Sequence, residues 1–343
     1  MGSKATLKEV ARAAGVSVQT VSRVVNQSEN VADETRTRIL QIIDEIGYQP
    51  NVIARSLITR QTRTLGVIAS GLEYYGPSSV LVGIQREAQL LGYSLHLYLL
   101  DDANQAIQPA FFREITGRLE DGLIWAVPPV DKNRDAFSPG RIRSLPPTIF
   151  FTQTAPLSSV VTIDNYNGAW QAVSHLFDMG YKQVGLLSGP LNWHEASERK
   201  RGWQAALAAQ HIHPDNCMIV EGDWTPASGE QCFKHLVQAN PQIDAIFVAN
   251  DQMALGVYKA AYQQGIRIPE QLGVIGFDDI PEANFFTPSL STIRQPLQDL
   301  GAASVREIVA MIRCCGSDRT SYEPKSITLQ PKLIMRESTR KKS

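Results

Sequence analysis

Cysteine is scarce in this chain, with four in 343 residues (Cys217, Cys232, Cys314 and Cys315). Their spacing matches no metal-ligand pattern, and the adjacent pair is poorly placed to bridge, so a disulfide framework and a metal cluster are both excluded and a reducing, cytoplasmic setting is expected. No apolar run is long enough to cross a bilayer. Lys4 and Lys8 near the start precede no apolar stretch of the kind a secretory signal needs, so no membrane association is expected. Catalytic signatures are missing too. There is no Walker loop and no Gly-x-Ser-x-Gly elbow, and six scattered histidines (His96, His175, His194, His211, His213, His235) pair with no nucleophile. An enzyme is therefore not expected, nor a cofactor or a bound metal. Low-complexity tracts and strict repeats are also absent.

Net charge is nearly absent as well, at −1, which taken over the whole chain argues against nucleic acid. The charge is unevenly spread, however. Residues 1–64 carry nine Lys/Arg against six Asp/Glu, a balance of +3, which leaves −4 for the remainder. A small basic head on a mildly acidic body fits a DNA reader joined to something else. The length exceeds one average domain, and an apolar fraction of 43% is enough to bury a substantial core.

Three helical patterns fill residues 6–47. Thr6 and Glu9 have capping-box spacing ahead of a helix over Leu7–Ala14, which Gly15 ends. Ser17 can cap a second helix, Val18–Asn26. A third runs from Asp33 to Ile46, with Ile39, Ile42, Ile43 and Ile46 on one face, stopped by Gly47 and Pro50. Val10, Val16, Val21 and Val25 supply a tight core, and small Ala11 and Ala14 let helices cross closely. This is the layout of a helix-turn-helix. In its second helix Gln19 and Arg23 are i,i+4 neighbours and can enter a major groove together. Arginine suits guanine and glutamine suits adenine, each through paired hydrogen bonds, and Val18 offers an apolar edge to a thymine methyl. Thr6, Ser17, Thr20, Ser22 and Asn26 are suited to phosphates. The bland alternative is a generic three-helix bundle with surface Gln and Arg.

From Leu65 short apolar runs recur, at 65–69, 95–100, 122–127, 148–151, 184–187, 245–249 and 273–277, with helical stretches between most of them. Alternation of this kind implies an α/β fold of parallel sheets covered on both faces, and about 275 residues are enough for two lobes. Open parallel sheets gather binding groups at the carboxyl ends of their strands. Those ends hold Tyr75 and Ser78, Asp101 and Asp102, Thr152, Asn250 and Asp251, and Asp278 and Asp279. Arg199 lies near a helix start and Trp224 in a loop. Arg, Asn and Asp with an aromatic ring suit a sugar, whose hydroxyls bond the polar groups while the ring covers its apolar face. Each residue also has a plain structural reading: Asp278 capping a turn, Asn250 capping a helix, Arg199 paired with Glu195 or Glu198.

The run Thr20-Val-Ser-Arg-Val-Val-Asn26, with Tyr48-Gln-Pro-Asn51, Ala54-Arg-Ser-Leu57, Leu187-Ser-Gly-Pro-Leu191, Gly222-Asp-Trp224, Val248–Gly256 and Gly276-Phe-Asp-Asp279, resembles the lactose/galactose repressor (LacI–GalR) family over nearly the whole chain. The resemblance implies a helix-turn-helix head over 1–50, a hinge helix and linker over 51–64, a periplasmic-binding-protein type I body of two doubly wound lobes over 65–335, and a basic, solvated tail over 336–343. It implies a hinge that orders on DNA, with Asn51, Ala54 and Leu57 at its contacts and Leu57 wedged into the minor groove. It implies effector contacts from Arg199, Asn250, Asp278, Trp224 and Gln295, to which Tyr75, Ser78, Asp102, Thr152 and Trp193 are added as candidates. Where the resembled sequences have Arg, Asp and small serines, this chain has Asp102, Thr152, and Trp193 with Glu195, so the same sugar in the same pose is not expected. The C-terminal end carries no leucine heptads, so a homodimer on a pseudo-palindromic operator is expected, controlled by a mono- or disaccharide. The competing expectation, a solute-binding receptor for sugar uptake, shares the body but needs a leader and no head.

Overall fold

The computed structural model describes residues 5–25, 30–48, 61–101, 106–128, 130, 139–152, 158–214, 218–315 and 322–340. Asn26, Asn51, Ala54, Leu57 and Asp102, named above, lie outside them. The chain divides into two compact units, Met1–Thr62 and Arg63–Ser343.

The first unit is three helices, α1 (Leu7–Ala14), α2 (Val18–Val25) and α3 (Asp33–Ile46). Thr6 caps α1 through a complete capping box. Its hydroxyl accepts from the Glu9 amide, and its own amide donates to the Glu9 carboxylate at 2.7 Å, so orphan donors at the helix start are satisfied from both directions. Gly15, at φ 63°, turns the chain in the left-handed region that a side chain resists. Ser17 Oγ accepts from the Thr20 amide at 3.1 Å to start α2. Val10, Ala11, Ala14, Val21, Val24, Ile39 and Tyr48 form the core. Two expectations shift slightly. Val24 rather than Val25 is enclosed, with Val16 and Val25 only half-buried, and Ile46 at the last position of α3 is exposed.

The second unit holds two six-stranded sheets. The first has the order β11-β5-β4-β3-β1-β2 and the second β12-β10-β9-β8-β6-β7. The strands are β1 (Thr64–Ala69), β2 (Ser94–Leu99), β3 (Gly122–Trp125), β4 (Thr148–Phe150), β5 (Ser159–Ile163), β6 (Val184–Ser188), β7 (Ile219–Glu221), β8 (Ala245–Val248), β9 (Gly273–Asp278), β10 (Ser291–Arg294), β11 (Ser326–Leu329) and β12 (Lys332–Ile334). All pairings are parallel except β10 with β12. Central strands such as β3, β8 and β9 are buried at every position, whereas the edge strands β2, β7, β11 and β12 are partly exposed. That is the burial expected of parallel sheets covered on both faces.

Helices α4 (Tyr75–Leu90), α5 (Pro109–Gly117) and α6 (Pro139–Ser144) follow strands of the first sheet. Helices α7 (Asn165–Asp178), α8 (His194–Ala209), α9 (Pro226–Ala239) and α10 (Asp251–Gln263) follow β5 and strands of the second sheet. The chain crosses between lobes three times: after β5, after β10 into α11 (Leu297–Cys315), which packs on α4 of the first lobe, and between β11 and β12. Two doubly wound lobes joined by three crossover segments result. Each carries its own apolar core, and Tyr75 and Trp193 pack against clusters of both.

The tail corrects an expectation. Residues 336–340 are docked on the second lobe rather than solvated. Arg336 donates to Asp279, Asn284 and the Leu290 carbonyl, Ser338 donates to the Val274 carbonyl at 2.6 Å, and the Thr339 hydroxyl meets both Ser291 and buried His175. Ser338 and Thr339 are almost wholly enclosed. Burying hydroxyls this deeply is tolerable only because each is hydrogen-bonded.

Candidate functional site

On the head, the faces of α2 separate cleanly. Val21 and Val24 point inward, while Val18, Gln19 and Arg23 are exposed on the opposite side, with Thr20 and Ser22 half-buried beside them. Thr6 and Ser17, at the two helix starts, are exposed. The short helix therefore presents two long hydrogen-bonding side chains and an apolar edge together, in an arrangement that fits a major groove.

In the body, strand ends from the two lobes face each other across a cavity of about 160 Å³. The first lobe contributes Ser70 after β1, Ala126 and Pro128 after β3, and Phe151 after β4. Asn165 opens α7 at the first crossover. The second lobe contributes Trp193, Glu195 and Arg199 from the start of α8, Trp224 from the loop after β7, Asn250 after β8, Asp278 at the end of β9 and Gln295 after β10. The volume suits a compact small molecule, set where open α/β sheets place their ligands.

Arg199 is the most constrained group. It is 5% exposed, its Nε donates to Asn165 Oδ1 at 2.8 Å, its Nη1 donates to the Ala249 carbonyl, and its guanidinium lies 3.8 Å from the centre of the Phe277 ring. It pairs with neither acid proposed from sequence, since Glu198 bonds Arg201 instead. Burial lowers its pKa, opposed by the charges of Asp278, Glu195 and Asp251. Asp278 accepts from Gln295 Nε2 at 2.6 Å. Burial holds the Asp278 carboxyl above its ordinary value, against the pull of Arg199 and the Gln295 bond. Behind it Asp251 is fully enclosed, bound by the Thr292 hydroxyl at 2.7 Å and the Ile280 amide at 3.0 Å. Burial first, and then Asp278, raise its pKa well above the usual carboxylate value. Asp278 and Asp279 sit at φ 124° and 59°, a strained pair that Arg336 and Arg294 clamp through Asp279.

Asn250 performs the structural role considered for it and lines the cavity as well. Its Oδ1 accepts from the Met253 amide at 2.9 Å, capping α10, and its Nδ2 donates to the Trp224 carbonyl at 3.1 Å. Trp224 is itself at φ 74°. Its indole lies on Gly189, where a methyl group would overlap the ring, and meets Trp193 edge-on at 5.9 Å.

Of the sequence-named effector residues, Trp193, Arg199, Trp224, Asn250, Asp278 and Gln295 come together on the cavity wall. Tyr75, Ser78 and Thr152 do not line it. Tyr75 packs between the two lobe cores, and its hydroxyl pKa is raised by burial. The Ser78 hydroxyl is turned to the Leu72 carbonyl, and Thr152 is buried. Asn165 and Glu195 were not singled out as contacts, although both face the cavity. Among the described residues no group of side chains is arranged to hold a metal ion, and no helix is long and apolar enough to cross a membrane.

Comparison with known proteins bears on both units. Residues 6–51 match the model of bacterial regulatory proteins of the lacI family, and residues 173–339 match a periplasmic binding protein-like domain. The HTH-type transcriptional repressor PurR of Edwardsiella ictaluri (strain 93-146) is 31% identical over 336 residues, 97% of this chain and 96% of that one. The chain belongs to the LacI family. The lactose operon repressor of Escherichia coli (strain K12) is 33% identical over 308 residues, 89% of this chain and 84% of the relative. The crystal structure of the Lac repressor dimer bound to operator and the anti-inducer ONPF is matched with a TM-score of 0.82 at 30% identity, covering 98% of this chain and 100% of that one. The complex of the transcriptional regulator CelR with cellobiose is matched at 0.70 and 27% identity, with the same coverage. As a LacI-family member the chain is a DNA-binding transcriptional regulator with a helix-turn-helix head and a two-lobed ligand-binding body, not an enzyme.

Proposed function

We propose that this regulator binds a pseudo-palindromic operator as a homodimer, in the compartment that holds the genome, and that a small carbohydrate in the cleft changes its operator affinity. The observation that carries the effector reading is the convergence, in one cavity, of Arg199, Asn250, Asp278, Gln295 and the Trp193–Trp224 pair. Charged and amide groups of this kind bond hydroxyls, and indole faces cover the apolar side of a pyranose. The regulator solved with cellobiose has the same overall fold.

Several observations favour two-fold pairing. Val82 and Leu90 on α4, Leu97 and Leu99 on β2, and Leu255 and Tyr262 on α10 are exposed, as is Phe285. Apolar side chains in such number, on both lobes, suit a surface that a second copy covers. In this reading Gln19 and Arg23 read base edges, Val18 meets a thymine methyl, and Thr6, Ser17, Thr20, Ser22 and Asn26 position the head on phosphates. The hinge and linker placed at residues 51–64, with Leu57 as the wedge, rest on family resemblance alone, and Thr64 at their end already belongs to β1. Ligand closing the lobes alters the separation of the two hinges and so the cost of ordering them on DNA.

A thermal-shift screen of mono- and disaccharides on the full chain tests the effector. A compound at a hundred times its dissociation constant adds about 2.7 kcal/mol of stability. The shift should shrink in Gln295→Ala, which removes a cavity-lining amide. Stabilisation that persists undiminished in that variant would put the compound elsewhere.

A further inference from the structure

We propose that Glu195 sets the chemical class of the effector, admitting an uncharged polyol and excluding its phosphate esters and carboxylates. The proposal rests on the cleft being a carbohydrate site and adds which carbohydrates can enter.

Glu195 stands in the first turn of α8 and lines the cavity. Its Oε2 is shielded from solvent and has no hydrogen-bond partner. Leaving a buried carboxylate oxygen unpaired is costly, so such an atom in a cavity-lining side chain marks a bond that an incoming group completes when the side chain turns toward it. On the same wall Trp224 Nε1 is likewise buried and unpartnered. The two atoms make opposite demands: an ionised carboxylate only accepts, whereas an indole N–H only donates. Sugar hydroxyls satisfy both, because each donates one hydrogen and accepts through its lone pairs.

The charge count points the same way. Among the described residues lining the cavity, the charged ones are Glu195, Asp278 and Arg199, with Asp251 enclosed directly behind. Two carboxylates thus face one guanidinium. That guanidinium is partly engaged, with Nε taken by Asn165, Nη1 by the Ala249 carbonyl and one face by the Phe277 ring, so that Nη2 is what remains to meet a ligand. A phosphate or carboxylate group set against Glu195 brings no donor there, whatever hydroxyls the rest of the ligand keeps, and meets two charges of its own sign at low local dielectric. Discrimination of this kind acts by rejecting the wrong ligand more than by holding the right one.

The test uses the full-length protein and a panel of neutral mono- and disaccharides set beside their phosphate esters, the matching uronates and a free nucleobase. Stabilising compounds go on to isothermal titration against wild type, Glu195→Gln and Glu195→Ala. The expected result is that stabilisation is confined to neutral sugars and that phosphorylating a binder weakens it at least about tenfold. Glu195→Ala should weaken the neutral sugar by about tenfold or more, on the scale of one charge-assisted hydrogen bond lost. Glu195→Gln keeps the shape and an acceptor oxygen, so it should retain the neutral sugar within about threefold while recovering about tenfold for the phosphate ester. Equal affinity of wild type for a sugar and its phosphate overturns the proposal, as does unchanged affinity in a folded Glu195→Ala protein. If only anions or the nucleobase bind, the cleft survives as a ligand site and the assignment to Glu195 fails. If nothing in the panel binds, the carbohydrate reading falls and takes the assignment with it.

Discussion

Replacing Asn250 separates two jobs that one side chain performs. Its Oδ1 caps α10 by accepting from the Met253 amide, and its Nδ2 ties down the carbonyl of Trp224, a residue held at positive φ against the cavity. Asn250→Ala removes both bonds. Loss of an N-cap costs ~1 kcal/mol, and a buried backbone carbonyl left without its donor costs about 1–2 kcal/mol more. The sum is therefore roughly 2–3 kcal/mol, or about 4–12 °C in melting temperature for a domain of this size. Asn250→Ser keeps a capping oxygen but has no second donor, so it should recover about 1 kcal/mol of that loss. Urea unfolding followed by tryptophan fluorescence reads the body alone, because all five tryptophans (Trp125, Trp170, Trp193, Trp203 and Trp224) lie beyond Thr62. Equal destabilisation by serine and alanine would show that the cap contributes nothing. An unchanged midpoint in Asn250→Ala would refute the reasoning entirely.

Arg23→Ala should weaken operator binding by ~1–3 kcal/mol and relax preference at one base position, read by selection from randomised duplexes; an unaltered base profile counts against the recognition face of α2. Gly189→Ala drives a methyl into the Trp224 indole. It should cost about 1–3 kcal/mol in unfolding free energy and reduce ligand affinity together, and a neutral effect on both would displace Trp224 from the wall. The Asp278 carboxyl, raised by burial, contributes stability that is complete below its unfolded pKa and lost as pH rises through the higher folded value. Asp278→Asn should therefore flatten the decline in body stability between about pH 4 and pH 7; identical slopes in variant and wild type would contradict the assigned environment.

The head was legible because its signals are local. The Thr6–Glu9 box, Gly15, Ser17 and Gly47 mark helix ends within a few residues, and α1 and α3 run as the spacing predicts. The fully buried strands were legible as apolar runs. Strand β10, Ser291-Thr-Ile-Arg294, was not, because Ser291 and Thr292 are buried as partners of Ser338, Thr339 and Asp251 rather than as apolar residues. Edge strands β7, β11 and β12 are short and half-exposed, which leaves them little hydrophobic signal. The docked tail depends on partners such as His175, 164 positions away, and no local pattern reports that. Asn165 was missed with β5, whose end places it in the cleft. Glu195 was weighed as a partner for Arg199 and as a change of bulk and charge near the pocket, not as a contact, because a free carboxylate oxygen becomes visible only once the surrounding chain is folded.

Regulation by such a protein requires one coupling, between DNA binding by the head and ligand binding by the body. The direct measurement is fluorescence anisotropy of the full chain on a duplex selected from random sequence at physiological salt, titrated with and without a cleft-binding sugar. Enrichment of a two-fold symmetric site is expected, with a shift in dissociation constant of about 5–150-fold on adding the sugar. A pool without any enriched sequence, or a duplex affinity indifferent to a sugar shown to fill the cleft, would contradict it.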